Sequence, residues 1–492
     1  MEKSNFIVMR ITSAVTAMLI FWSATSYTSS PGKISVSCLP DNSVAAAVDP
    51  EVHERYGAAY PLTYKIALPA GSANLAADRR YGANESWYRI TERTADMFFN
   101  GEEAVRFDYA NSMALVSVPF SSSSDSLSLR VTDGAGKNVA VAYAGIAKYY
   151  DDRKAAVVVS ADDWHPSFNQ YFLFALSIFR HYRLWVSAAI VTEWCDAQTW
   201  GDIQSELDSG YVEAASHGRN HIHTPYPDPA YEVSGSKADI MSNLVLPDPF
   251  SSGQHQYVYV WIAPYSDYDD AIDSLVSLNR YLVSRLVQFD ETMFSSWNGV
   301  RNMYNGVGET REMGPLWGGS NDLADLNQAF DAAIGSGGVY HVMCHPHVLA
   351  QYDEWSKPYT SGHLEYISNR RELWYASMGQ AYLYHFMQDE AAVPQSVPLV
   401  AGGLPERVQL RQNYPNPFNP STTIDYQVSR AGAVRLHIYN VAGQLLVTLV
   451  DGFQGPGYYR VHWDAPGMPS GTYFYRLQAE GEVHTNRMVL VR

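Results

Sequence analysis

From Lys154 onward, continuous apolar runs alternate with stretches of helical period, and this alternation limits what the chain can fold into. The run over 155–160 (AAVVVS) is apolar without a break, as a parallel strand covered on both faces requires. A helix is predicted over 168–181, then a strand over 185–191 and a helix near 199–207. Further strands are predicted over 212–216, 257–262, 282–287 and 339–344, with helices over 237–246, 269–280 and 322–334 between them. This order predicts an α/β fold over residues 151–390, a distorted (β/α) barrel of about seven strands. Such barrels carry their chemistry at the C-terminal ends of the strands.

The flanks read differently. Residues 40–150 hold short period-2 runs, such as 104–109 and 126–131, broken by Gly, Ser and Asn. They predict an antiparallel β-sandwich, a packing or spacer module or a carbohydrate-binding one. Residues 391–408 are rich in Pro, Gly and Ala and read as a linker. In 409–492, strand-like segments recur at 424–428, 434–439, 444–449, 458–463, 472–477 and 487–491, which predicts a second small β-sandwich. At the other end, Lys3 and Arg10 precede an apolar stretch over 11–24 and then small and polar residues. Residues 1–30 are expected to be a secretory signal peptide, with an uncleaved anchor as the alternative. The apolar stretch is shorter than the roughly 20 residues that span a bilayer, and no transmembrane segment is expected in the mature chain.

Charge removes one class of partner. With 34 Lys and Arg against 51 Asp and Glu, the net charge is −17, so no nucleic acid partner is expected. The three cysteines, Cys38, Cys195 and Cys344, make neither a disulfide framework nor a Cys/His finger. The 35 Tyr and 12 Trp suit surfaces that stack on sugars, and equally suit Tyr-rich β-domains.

Four clusters fall at expected strand ends: Asp162-Asp163, His217-Gly218-Arg219-Asn220-His221, Trp261-Ile262-Ala263-Pro264-Tyr265 and Cys344-His345-Pro346-His347. Two histidines four apart can meet one metal ion. Together these clusters resemble the polysaccharide deacetylases (NodB-homology, carbohydrate esterase family 4). That family's patterns T-F/Y-D-D, H-S/T-x-x-H, R-x-P-Y/F and L-x-H find counterparts, in the same order, in S-A-D-D, H-G-R-N-H, I-A-P-Y and V-M-C-H. The resemblance covers roughly half of the chain, residues 151–390.

The resemblance implies that Asp163, His217 and His221 bind one divalent ion, most often zinc, leaving positions open for water and substrate. It implies Asp162 as general base and His345 as general acid. The backbone N–H of Tyr265 would help stabilise the oxyanion. The implied activity is removal of N- or O-linked acetyl groups from a polysaccharide. Two other readings stand beside it: a non-catalytic carbohydrate-binding protein on the same scaffold, and another metal-dependent amide or ester hydrolase.

The chain also departs from the family. The arginine that normally orients the base falls at Ile262 or Ala263, and Arg219 and Arg301 are candidate replacements. Without a cation, Asp162 would have a less depressed pKa and the acidic limb of the pH–rate profile would lie higher. Gly218 replaces the usual Ser/Thr, and Asp290 is the candidate support for the catalytic histidine. His223 and His347 are expected at the surface or behind the ligands, and Cys344 in the core. Trp164 and Trp261 would either line a sugar site or pack inside.

The C-terminal module has its own resemblance. The segments 413–420 (NYPNPFNP), 438–444 (IYNVAGQ), 470–477 (SGTYFYRL) and 488–492 (MVLVR) resemble the type IX secretion sorting domain, an immunoglobulin-like sandwich. It implies recognition by the type IX machinery and a secreted or outer-surface location in a Gram-negative bacterium. Deleting 409–492 is therefore expected to leave the enzyme-like domain folded and trapped in the periplasm. Fractionation that finds the truncated protein outside the cell at normal levels would refute this address.

Overall fold

The computed structural model describes residues 33–82, 85–286, 308–316, 319–388, 407–413, 416–429, 432–454, 457–465 and 468–491. The expected signal peptide, most of the expected linker, Asp290 and Arg301 lie outside them.

The central sheet has eight parallel strands, numbered here on their own: β1 Ala155–Trp164, β2 Val186–Ile190, β3 Val212–Ser216, β4 Val260–Ile262, β5 Val283–Arg285, β6 Gly308–Glu312, β7 Val339–Cys344 and β8 Leu373–Tyr375. Their order is β5-β4-β3-β2-β1-β7-β6, with β8 also on β1. One edge of β1 serves two partners in turn: Ala155–Val157 pair with β8, and Val159–Trp164 pair with β2. β2, β3 and β7 are buried along their whole length, which explains their mostly apolar sequences.

The crossover helices cover the sheet: α1 Asn169–His181, α2 Ala197–Asp208, α3 Pro229–Asn243, α4 Asp270–Leu278, α5 Leu323–Gly335, α6 Pro346–Gln351, α7 Pro358–Ile367 and α8 Met378–Met387. The α3 start follows from local chemistry. Asp228 caps it by accepting from the Tyr231 N–H, and Pro229 occupies the first turn, where its missing N–H costs nothing. The helix thus begins well before the periodic run over 237–246.

A closed barrel is not what the described residues form. β5 and β6 are the two ends of the strand order and do not pair, so the sheet is curled but open.

Two antiparallel sheets precede this domain. One has five strands, running from Ile34–Cys38 through Ser126–Thr132 to Tyr88–Arg89, and the other has four, with Met113–Val118 and Leu62–Ala67 at its centre. They share one continuous apolar core with the central domain, from Ile34 to Met387. Polar ties reinforce the junction: Trp374 donates to the Tyr60 hydroxyl at 2.8 Å, and the Tyr384 hydroxyl donates to the Ala147 carbonyl at 2.9 Å. After residue 407, three- and four-stranded antiparallel sheets enclose a separate core from Val408 to Leu490.

Candidate active site

A register shift at the end of β1 creates the site's first feature. Ala161 pairs with Ala188 and Trp164 with Ile190, so three steps on β1 match two on β2. Such a bulge breaks the alternation of side chains between sheet faces. Asp163 absorbs it with a left-handed backbone, φ 75°. Both consecutive carboxylates, Asp162 and Asp163, then lie among the same histidines.

The loop after β3 supplies two of those histidines. Glu232 of α3 is buried and holds the loop by accepting from the Arg219 N–H at 2.8 Å and the Asn220 N–H at 3.0 Å. Gly218 has φ 73°, and a Cβ there would lie 3.1 Å from a Glu232 carboxylate oxygen. The glycine in place of Ser/Thr thus answers both the backbone and the space. His217 Nδ1 sits 2.8 Å from the Ile262 carbonyl oxygen, which can only accept. The proton is therefore on Nδ1, and Nε2 keeps its lone pair toward the interior.

Asp163, His217 and His221 each offer a ligand atom, all within 4.8 Å of one another. Asp163 Oδ1 lies 3.3 Å from His217 Nε2 and 3.0 Å from His221 Nε2, yet it is buried and makes no properly directed hydrogen bond. Acceptor atoms converging in this way fit a divalent cation, and a donor set of two imidazoles and one carboxylate suits zinc.

Asp162 is also buried, and its cation comes from an unexpected place. Arg285, at the end of β5 and itself buried, donates to Asp162 Oδ2. In register, Arg285 stands opposite Ile262, the position where the family pattern has its arginine. Burial pushes the Asp162 carboxyl up, while Arg285, His217 and His345 bring it below its ordinary value. The expectation of an Asp162 without a cation is corrected accordingly. Arg219 is not the replacement, since its guanidinium is engaged by Asp239 at 2.6 and 2.7 Å. Asp162 Oδ1 remains buried without a hydrogen-bond partner.

His345, directly after β7, approaches from the far side, its Nε2 3.9 Å from Asp163 Oδ2. Its Nδ1 is 3.0 Å from Glu312 Oε1, at the end of β6. Burial alone would lower the His345 pKa, but the Glu312 hydrogen bond and the charges of Asp162 and Asp163 raise it above its ordinary value. Tyr265 follows β4 in a tight turn with φ 55°, and its ring stacks on His223 at 3.7 Å and leans on His221 at 4.5 Å.

The neighbours divide clearly. His223 is exposed and pairs with Asp267 at 2.9 Å. His347 is buried and stacked on Phe168 at 3.8 Å, with His165 against the same ring. Trp194 is exposed and meets His165 edge-on at 4.9 Å. Trp164, Trp261 and Cys344 are core residues.

Sequence reasoning missed Arg285 and Glu312. The rule that chemistry sits at strand ends could have found Arg285, which lies inside the strand predicted over 282–287.

Residues 412–491 match the family model of the secretion system C-terminal sorting domain. The protein is thus a type IX sorted protein, secreted or held at the outer surface of a Gram-negative cell. No described helix is long and apolar enough to cross a membrane. No curated protein matches the sequence. A solved structure from Mycobacterium smegmatis, assigned as a polysaccharide deacetylase, is 13% identical, with a TM-score of 0.33 over 49% of this chain and 92% of its own. A Cellulomonas fimi endo-beta-1,4-mannanase double mutant is 10% identical, with a TM-score of 0.16 over 65% of this chain and 80% of its own. Likenesses this distant carry no argument about activity.

The Asp162–Arg285 pair gives a pH-dependent prediction. Asp162 has a depressed folded pKa, so its contribution is present above the unfolded value and is lost as pH falls through the folded one. Arg285→Gln leaves a buried carboxylate unpaired and is expected to cost about 3–5 kcal/mol at neutral pH. The deficit should shrink at acid pH, where the stranded carboxyl takes up a proton. Denaturant unfolding of both proteins at pH 7 and at acid pH checks this, and a pH-independent deficit would contradict it.

Proposed function

We propose that this protein is a secreted, metal-dependent hydrolase that removes acetyl groups from a polysaccharide. The observation that carries the reading is the ligand cluster of Asp163, His217 and His221, flanked by the Asp162 carboxylate paired with Arg285 and the His345 imidazole paired with Glu312. When bound, a divalent ion such as zinc would supply Lewis-acid chemistry that polarises a carbonyl and acidifies water.

The chain's own groups do the rest. Arg285 occupies one oxygen of Asp162 and keeps the carboxylate ionised, leaving Oδ1 to accept a proton from the attacking water. Glu312 fixes His345 through Nδ1, so Nε2 can deliver a proton to the departing nitrogen or oxygen. An amine is a poor leaving group until protonated, which is why a raised imidazole pKa serves this step. The Tyr265 backbone N–H is the proposed oxyanion donor. The part-exposed rings of Trp194 and Tyr265, after β2 and β4, add aromatic surface near the strand ends, which supports a sugar-bearing substrate. The lack of an arginine at Ile262 or Ala263 is a ground for a non-catalytic glycan binder, and the Asp162–Arg285 pair weighs against it.

The test is acetate release from chitin oligomers, peptidoglycan and acetylated xylan, with and without added metal. Asp162→Asn and His345→Ala are expected to retain metal and lose about 10²–10⁴-fold in turnover. His221→Ala is expected to lose most of the metal affinity itself. Unchanged rates in the first two variants would make those residues structural. Binding of glycans without any release of acetate by the wild type would replace hydrolysis with recognition, and release only from non-sugar amides or esters would move the substrate class.

Glu312 yields a separate prediction. A general acid works only while protonated, so activity falls as pH rises through the His345 pKa. Glu312→Gln keeps an acceptor oxygen but removes the negative charge that helps raise this pKa, and the basic limb of kcat/KM should move to lower pH. A limb that stays in place would assign the acid role elsewhere.

A further inference from the structure

The strand ends opposite the candidate active site hold a second feature. Here Arg183 and Trp185 lead into β2 and Tyr211 leads into β3, while residues 93–102, which connect the strands Tyr88–Arg89 and Ala104–Asp108, close over them. They enclose a cleft of about 610 Å³ lined in part by Arg93, Phe98, Glu102, Arg183, Trp185 and Tyr211. The five-residue length of β2 and β3 puts this cleft roughly 17 Å along the sheet from the histidine cluster. No residue of one site belongs to the other.

The lining has a definite chemistry. Trp185 and Tyr211 pack with ring centroids 5.6 Å apart and form a part-exposed aromatic wall. Arg93 donates to Glu102 Oε1 at 2.7 Å, which neutralises both and leaves a donor–acceptor pair at the rim. The Arg183 guanidinium lies 5.4 Å from the Phe98 ring centre, is exposed, and makes no ion pair among the described residues. Arg183 and Tyr211 both sit in left-handed backbone, φ 57° and 67°, where a side chain other than glycine is uncommon. The volume lies within the ordinary range for small-ligand sites.

We propose that this cleft is a glycan-binding site for a saccharide chain that carries carboxylates. A pyranose ring has C–H groups on its faces, which suit the negative face of an aromatic ring, and hydroxyls on its rim, which suit the Arg93–Glu102 pair. Arg183 is the charged arm for a uronate carboxylate, a geometry for which a guanidinium is well matched. The site would hold one stretch of polymer while another lies elsewhere on the molecule, raising the local concentration of chain. The proposal stands on the cleft and does not require hydrolysis at the other end.

The test is calorimetric titration of the full chain with tetragalacturonate and with the neutral cellotetraose. Tetragalacturonate should bind, more weakly as salt is raised, and the Asp163→Asn variant should bind it equally well. Arg183→Asn keeps a residue that tolerates left-handed backbone and should weaken binding about tenfold, as loss of one charge-assisted contact implies. Trp185→Ala should weaken both saccharides. Should that variant melt early, Arg183→Asn, at an exposed position, carries the test alone. Absence of tetragalacturonate binding, or binding untouched by Arg183→Asn, overturns the site. Equal affinity for cellotetraose overturns the acidic assignment. Binding is read directly, so failure to release acetate leaves this result standing.

Discussion

The ion pair between Asp162 and Arg285 sets the shape of the domain as well as the chemistry of its site. A carboxylate taken out of water needs a compensating cation, and here the two partners come from β1 and β5, four places apart in the strand order. On a flat sheet those strands would lie about 19 Å apart, far beyond the reach of an arginine. They meet because the sheet curls, and Arg285 crosses the concave side far enough to donate to the Met343 sulfur on β7 as well, at 2.7 Å. The curl, the buried charge and the gathering of four strand ends around one point are therefore a single arrangement. Anything that flattened the sheet would strand Asp162 and scatter the histidines together.

Much of the central domain was legible because its strands are apolar on both faces. β1 announced itself as an unbroken apolar run, and β2, β3 and β7 as short, mostly apolar segments. β6 did not: its sequence, GETRE, has no apolar residue, and nothing in its period marks a strand. β8 has three residues, too few to show any period. The helices α6, α7 and α8 follow one another after β7 with little intervening strand, and their aromatic content blurs a 3.6-residue pattern. The closed barrel was inferred from length and repeat number, quantities that do not distinguish a closed sheet from a curled open one.

The candidate site was legible to the extent that each residue declared its role by type and by place at a strand end. What stayed hidden was support across strands. Arg285 is displaced by one strand from the position where an arginine was sought, so the search along a single strand passed it by, while the register between β4 and β5 puts it alongside. Glu312 was invisible for the plainer reason that its strand was unread. The bulge at Asp163 has no sequence signature, since an aspartate tolerates left-handed backbone without requiring it. Pairings between distant strands are a property of curvature, and curvature is not written in any local window.

The apolar cores are distributed unevenly along the chain. The N-terminal sheets and the central domain share one core, whereas residues from Val408 onward bury theirs separately. Exchanging the N-terminal sheets would mean rebuilding Tyr60, Trp374 and their neighbours at the same time, so those sheets and the central domain pack as one unit. The sorting domain is under no such bond. It can be grafted onto unrelated cargo, or shed once export is complete, with neither piece left showing an apolar wound to the medium.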